Sequence, residues 1–131
     1  MNLFTNLKAF RIFALCAFAA VLAAGALAAP DQTWTGTLVD SSCYLKEGAS
    51  GNDHMGMKAC GTACLKMGQP AGIVTAGKKF FLLIVASPAV ADYSGEPIRV
   101  SGSIKNGAIV VSKFEVKKGA SWTVVKLPDM M

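Results

Sequence analysis

Histidine occurs once in this chain, at position 54, and no glycine-rich phosphate loop or Ser/His/Asp constellation occurs at all. One imidazole is therefore the whole supply for proton transfer or metal ligation. Eight acidic residues stand against 13 Lys and Arg. The basic ones are scattered, which describes a solvated surface and not a nucleic-acid groove. Paired carboxylates are lacking too: Asp40, Glu47 and Asp53 fall at capping and loop positions. The two-residue dithiol spacing is also missing, since three residues separate Cys60 from Cys64 and no strand–helix alternation surrounds them. A thiol nucleophile with His54 as base needs a lowered thiol pKa and a third orienting group, and the sequence displays neither. These gaps argue against an enzyme.

The N-terminus reads as an export signal. Lys8 and Arg11 supply the positive region, residues 12–29 form an 18-residue run without a charge, and Ala26-Leu27-Ala28 is a small-x-small cleavage pattern. Eighteen apolar residues are about enough to span a bilayer, so a retained anchor is the competing reading, but alanine dominates the second half of this run. Leu15 precedes Cys16 where a lipoprotein signal needs a small residue. Cleavage after Ala28 takes 28 of 131 residues and leaves 103, which suits a single domain over 29–131. Lys8 and Arg11 leave and no acid does, so the net charge falls from +5 to +3. The expected location is periplasmic or secreted, with no membrane contact after cleavage and no nucleic-acid partner.

Cys16 departs with the signal, leaving Cys43, Cys60 and Cys64. An odd number of cysteines in a compartment that permits disulfides leaves at least one thiol to protect. A metal shell would protect it. All three cysteines and His54 lie within residues 40–70, together with Met55, Met57 and Met67. Within that stretch a helix is expected from Asn52 or Asp53 to Gly68, with Pro70 beyond it. Met57, Cys60, Cys64 and Met67 would form one stripe along it. Gly56 and Gly61 weaken such a helix by about 1 kcal/mol each relative to alanine.

Elsewhere the pattern is β. Residues 33–39 alternate, with Gly36 suited to a bend or a close backbone approach. Residues 73–86 form a hairpin about Ala76-Gly77-Lys78, and its second strand is apolar on both faces and so central in the sheet. Ser87-Pro88 starts a short helix. Residues 98–104 alternate again, and Asn106-Gly107 signals a second hairpin. A two-residue turn there would turn Lys113 and Glu115 towards the face of Ile98 and Val100. A three-residue loop, Lys105 to Gly107, would bring Val110 and Phe114 there instead, and is expected. Residues 122–127 form the last strand.

The fold class is therefore mainly β: a small OB-like barrel of five to six strands with two short helices, one of them in the Cys-rich insertion (40–70) after the first strand. Asp40-Ser41-Ser42-Cys43, then His54, Cys60-x-x-x-Cys64, Lys66, Gly68 and Pro70, followed by this strand pattern, resembles a group of small exported bacterial proteins of OB-like fold. The resemblance implies the barrel and the clustering of Cys43, His54, Cys60 and Cys64, and implies no reaction.

Three thiolates and an imidazole make a tetrahedral zinc shell. Thioethers favour Cu(I), and Met55 and Met57 beside His54 would supply them. In ligand type this resembles the small periplasmic copper-binding barrels that use one His and two Met. Paired cysteines of binuclear copper centres need a His four residues after the second Cys, and position 68 is Gly, which excludes that pattern. The expected function is an exported metal-binding protein, Zn(II) before Cu(I), with Cys43, His54, Cys60 and Cys64 as ligands. Two plainer readings stand beside it. In one the Met/Cys stripe is simply a buried helix face. In the other a disulfide from Cys43 to Cys60 or Cys64 closes a loop of roughly 20 residues, worth about 3 kcal/mol. The protein is then a stapled binding module for an extracytoplasmic ligand or partner, gripped through Trp34, Tyr44, Phe80, Phe81 or Trp122.

Overall fold

Strand β1, Gln32–Asp40, has a partner on each side, and the rest of the sheet is arranged around it. The computed structural model describes residues 30–129, so the signal-peptide expectation lies outside the described residues. After β1 come α1 (Ser41–Glu47), α2 (Cys60–Lys66), β2 (Ala71–Thr75), β3 (Phe80–Ile84) and α3 (Ser87–Val90) with a 3-10 turn at Ala91–Tyr93. Then follow β4 (Pro97–Lys105), β5 (Ala108–Lys118) and β6 (Ser121–Val125). The structure is mainly β, and no helix among the described residues is long and apolar enough to cross a membrane.

The C-terminal half of β1 pairs with β2 and its N-terminal half with β4, both antiparallel. Gly36 belongs to both ladders, opposite Thr75 and Ile98. A Cβ on it would lie 2.3 Å from the Val74 carbonyl oxygen, so the close backbone approach expected there is present. β2 pairs with β3, β3 runs parallel to the start of β5, and β5 pairs along β4. The pairings thus close a cycle, β1–β2–β3–β5–β4–β1. β6 pairs with the second half of β5. Leu38, Ile73, Ile98, Val100, Ile109 and Phe114 are fully buried at its centre, and Leu65 brings α2 onto the same core.

The second hairpin corrects the expected loop. Lys105 pairs with Ala108, so the turn is the two-residue Asn106-Gly107, both at positive φ, as the twist of a two-residue hairpin requires. The register shift is made four residues further on. Ser101 pairs with Lys113 but Gly102 with Val111, which leaves Ser112 unpaired as a bulge. Phe114 does join Ile98 and Val100 in the core, while Val110 is only half-buried and Ile109 and Val111 are buried in its place. Turn chemistry and burial pattern made incompatible demands, and one extra residue in β5 satisfies both.

Beyond the bulge, Glu115 is buried and pairs across the ladder with Arg99, which donates to both its oxygens at 2.8 Å. Arg99 also lies 4.7 Å over the Trp122 ring. Hydrogen bonds from Arg99, opposed by burial and helped by Lys113, lower the Glu115 carboxyl from 4.5 to about 2. A carboxyl held below its unfolded value stabilises the fold fully above that value, and the contribution is lost as pH falls from there through the folded value. The melting temperature is therefore expected to fall between about pH 4.5 and pH 2. Arg99→Met should flatten that acid limb while lowering stability at neutral pH. An unchanged acid limb in Arg99→Met would place the pH dependence elsewhere.

Candidate metal centre

The 30 residues between β1 and β2 leave and return at one point of the sheet, because Asp40 and Ala71 are register partners. Two bonds close the mouth: Ser41 N donates to Pro70 O at 3.0 Å and Ser42 Oγ to Gln69 Oε1 at 2.7 Å. The start of α1 and the chain just after α2 are thereby pinned together.

The expected single helix is replaced by two. Asp40 caps α1, accepting from Ser42 N at 2.9 Å, and Gly48 ends it at φ 70°. α2 begins only at Cys60, since Met55, Gly56 and Ala59 all have positive φ and no helix passes through them. His54 and Met57 instead exchange backbone hydrogen bonds about Met55-Gly56, a tight turn with both central residues left-handed. At the far end Gly68 at φ 90° closes α2 with bonds to Leu65 O and from Gln69 N to Cys64 O, which is the Schellman arrangement. Met57 and Met67 are exposed, so the buried stripe is reduced to Cys60 and the half-buried Cys64.

Asn52 and Asp53 do cap this helix, from a distance. Asp53 Oδ1 accepts from Ala59 N at 2.7 Å, Asn52 O from Gly61 N at 3.0 Å, and Asn52 Oδ1 from Thr62 N at 2.8 Å. These bonds fasten the loop carrying His54 to the helix carrying Cys60 and Cys64. Asn52→Ala is expected to lose about 1 kcal/mol of stability and about tenfold in metal affinity, as for the loss of an outer-shell support. Asn52→Asp, which keeps the acceptor, should stay near wild type in a zinc titration. Equal affinities for all three proteins would show that the cap does not position His54.

The His54 ring is oriented from outside. Its Nδ1 lies 2.9 Å from Gly51 O, and a carbonyl only accepts, so Nδ1 carries the proton. Nε2 is left with its lone pair, buried and without a hydrogen-bond partner. Ligating histidines are held in this way. Donor atoms of Cys43, His54 and Cys60 lie within 4.8 Å of one another, and so do those of Asp40, Cys43 and Cys64. All four expected ligands therefore lie in one cluster, arranged as two groups that share Cys43. The three cysteines are free thiols. Met55 and Met57 are more than half exposed, at 58% and 54%.

Asp40 is the residue that sequence reasoning passed over, as a strand-ending cap. It is the cap, but only Oδ1 is used. The residue is 2% exposed, and Oδ2 is buried with no hydrogen-bond partner. Its carboxylate, acting first as hydrogen-bond acceptor and then, after burial, as a charge, pushes the Cys43 thiol up to about 12. No thiol is aligned well enough to satisfy Oδ2. Burial first, and then Asp40 and Cys60, raise the Cys64 thiol as well. Thiols so raised are poor nucleophiles at neutral pH, and a metal must displace their protons. The spacing was readable: in a helix capped at Asp40, Cys43 is the third residue and faces the capping side chain.

The aromatics offered for ligand gripping are engaged with neighbours. Tyr44 stacks on Phe80 at 5.4 Å, Trp34 packs against Phe81 at 6.2 Å, and Trp122 lies under Arg99. No protein-family model matches the chain, and no curated protein or solved structure matches it either.

Proposed function

We propose that this is an exported metal-binding protein that holds Zn(II) through Cys43, His54 and Cys60, with Cys64 beside them, on an OB-like barrel. The observation that carries this reading is His54 Nε2, a buried, unpartnered lone pair beside two thiols, with its ring fixed from behind by Gly51 O. Zinc is preferred to Cu(I) because an imidazole and a carboxylate accompany the sulfurs, while the nearby thioethers are exposed. The cyclic strand pairing with β3 parallel to β5, and α3 between β3 and β4, support the OB-like assignment. The signal-like residues 1–28 and the odd cysteine count support export. The stapled binding module has less to rest on, given three free thiols and engaged aromatic faces.

The test is the native mass of the protein recovered from the compartment it reaches, with a count of its thiols. The expected result is a mass excess of zinc that acid removes, after which three thiols titrate. A mass two hydrogens light, one thiol and no metal would overturn the reading in favour of the stapled module. A pH dependence follows from the same site. A thiol ligates as its thiolate, so binding by Cys43, Cys60 and Cys64 releases three protons, and apparent zinc affinity should fall by about 1,000-fold for each pH unit lost below neutrality. A slope near zero in competition titrations would mean that these thiols are not ligands.

A further inference from the structure

The donors of the centre do not form one four-membered shell; they form two groups of three with the Cys43 sulfur in common. Each group holds one buried polar atom without a well-formed hydrogen bond: His54 Nε2 in the first and, although the Cys43 and Cys64 sulfurs lie beside its carboxylate, Asp40 Oδ2 in the second. Buried polar atoms are normally partnered, so each group has a place for a cation. Charge leads to the same conclusion. One divalent ion on Cys43, His54 and Cys60 would satisfy Nε2, yet leave the buried Asp40 carboxylate without a cation. Asp40 makes no ion pair among the described residues. Once metal has displaced the thiol protons, three thiolates and one carboxylate would carry four negative charges, which two divalent cations balance.

We propose that the centre holds two zinc-type divalent ions bridged by the Cys43 thiolate, one completed by His54 and Cys60, the other by Asp40 and Cys64. This rests on the metal-binding reading above and extends it to Asp40, to a bridging role for Cys43 and to a stoichiometry of two. A thiolate sulfur has lone pairs for two metals, and three donors per ion leave one position on each for water or a small anion. On binding, the three thiols give up their protons to solvent; no redox change occurs.

The experiment is anaerobic titration of the reduced, acid-stripped full chain with Zn(II), read by native mass spectrometry. Wild type is expected to saturate at two zinc ions, Asp40→Asn and Cys64→Ser at one, and Cys43→Ser at none. Asparagine still caps a helix, so Asp40→Asn preserves α1 and carries the test if a cysteine variant fails to fold. Loading with Cd-113 should give two NMR resonances split by coupling through the shared sulfur. Saturation at one ion, two ions in Asp40→Asn, or two uncoupled resonances would overturn the bridged pair and leave metal binding standing. No zinc at all would overturn both.

Discussion

A strong chelator is expected to lower the melting temperature by about 15–30 °C, and Cys43→Ser to produce the same loss with no further response to chelator. The magnitude follows from linkage: metal present at about 1,000 times its dissociation constant adds roughly 4 kcal/mol. Each kcal/mol is worth about 4–8 °C in a domain of this size. A large effect is expected because little else holds the insertion. Its two helices are seven residues each, well short of the roughly 12–15 residues at which an isolated helix becomes even marginal. Leu65 is its one fully buried large side chain, while Leu45, Met55, Met57 and Met67 are exposed. Hydrogen bonds at the mouth and at Asn52 shape the segment but contribute only about 1 kcal/mol each. Cys60→Ser should likewise lose the ion on the His54 side and much of the stability. Equal melting curves for wild type with and without chelator, and for Cys43→Ser, would show that the cluster holds no structural ion.

What the sequence alone makes legible follows from strictly local rules. Alternation located β1 and β4, Asn106-Gly107 the place of the hairpin though not the length of its loop, and Ser87-Pro88 the start of α3. Each depends on residues within a few positions of one another. The clustering of Cys43, His54, Cys60 and Cys64 was also legible, because one imidazole and three thiols fell within one insertion. What failed was the path between them. The periodicity of Met57, Cys60, Cys64 and Met67 is helical, but Met55, Gly56 and Ala59 take up positive φ to turn His54 inward, and a tertiary demand overrode the pattern. Helix α1 was missed although Asp40 and Gly48 bracket it with the ordinary start and stop signals. Asp40 was not legible as a ligand, because a capping aspartate satisfies a local rule with one oxygen, and only burial shows that the second has no well-formed partner.

Deleting Ser112 is expected to abolish the folded state, whereas Ser112→Ala should cost about 1 kcal/mol or less. The side chain itself does modest work at an exposed position, donating to Ser101 O at 3.1 Å and to the Asp31 carboxylate. Its backbone is another matter. Side chains alternate with a period of two, so removing one residue sends every later side chain of β5 to the opposite face. If the Asn106-Gly107 turn keeps its register, Phe114 and Val116 leave the core and Lys113 and Glu115 approach it. Restoring the core instead requires a three-residue loop at Lys105–Gly107, which abandons the two-residue turn and moves Ile109 and Val111 from their buried places. Neither compromise is cheap: exposing Phe114 alone forfeits about 3 kcal/mol of burial, from a fold whose total stability is on the order of 5–15 kcal/mol. Because β5 pairs with both β4 and β6 beyond the bulge, the slip would also misalign both of those ladders. Dispersed amide resonances and a cooperative melt near the wild-type temperature in the Ser112 deletion would show that the bulge is dispensable. A collapsed spectrum beside a near-native Ser112→Ala would show that the count of residues in β5, and not the serine, sets the register.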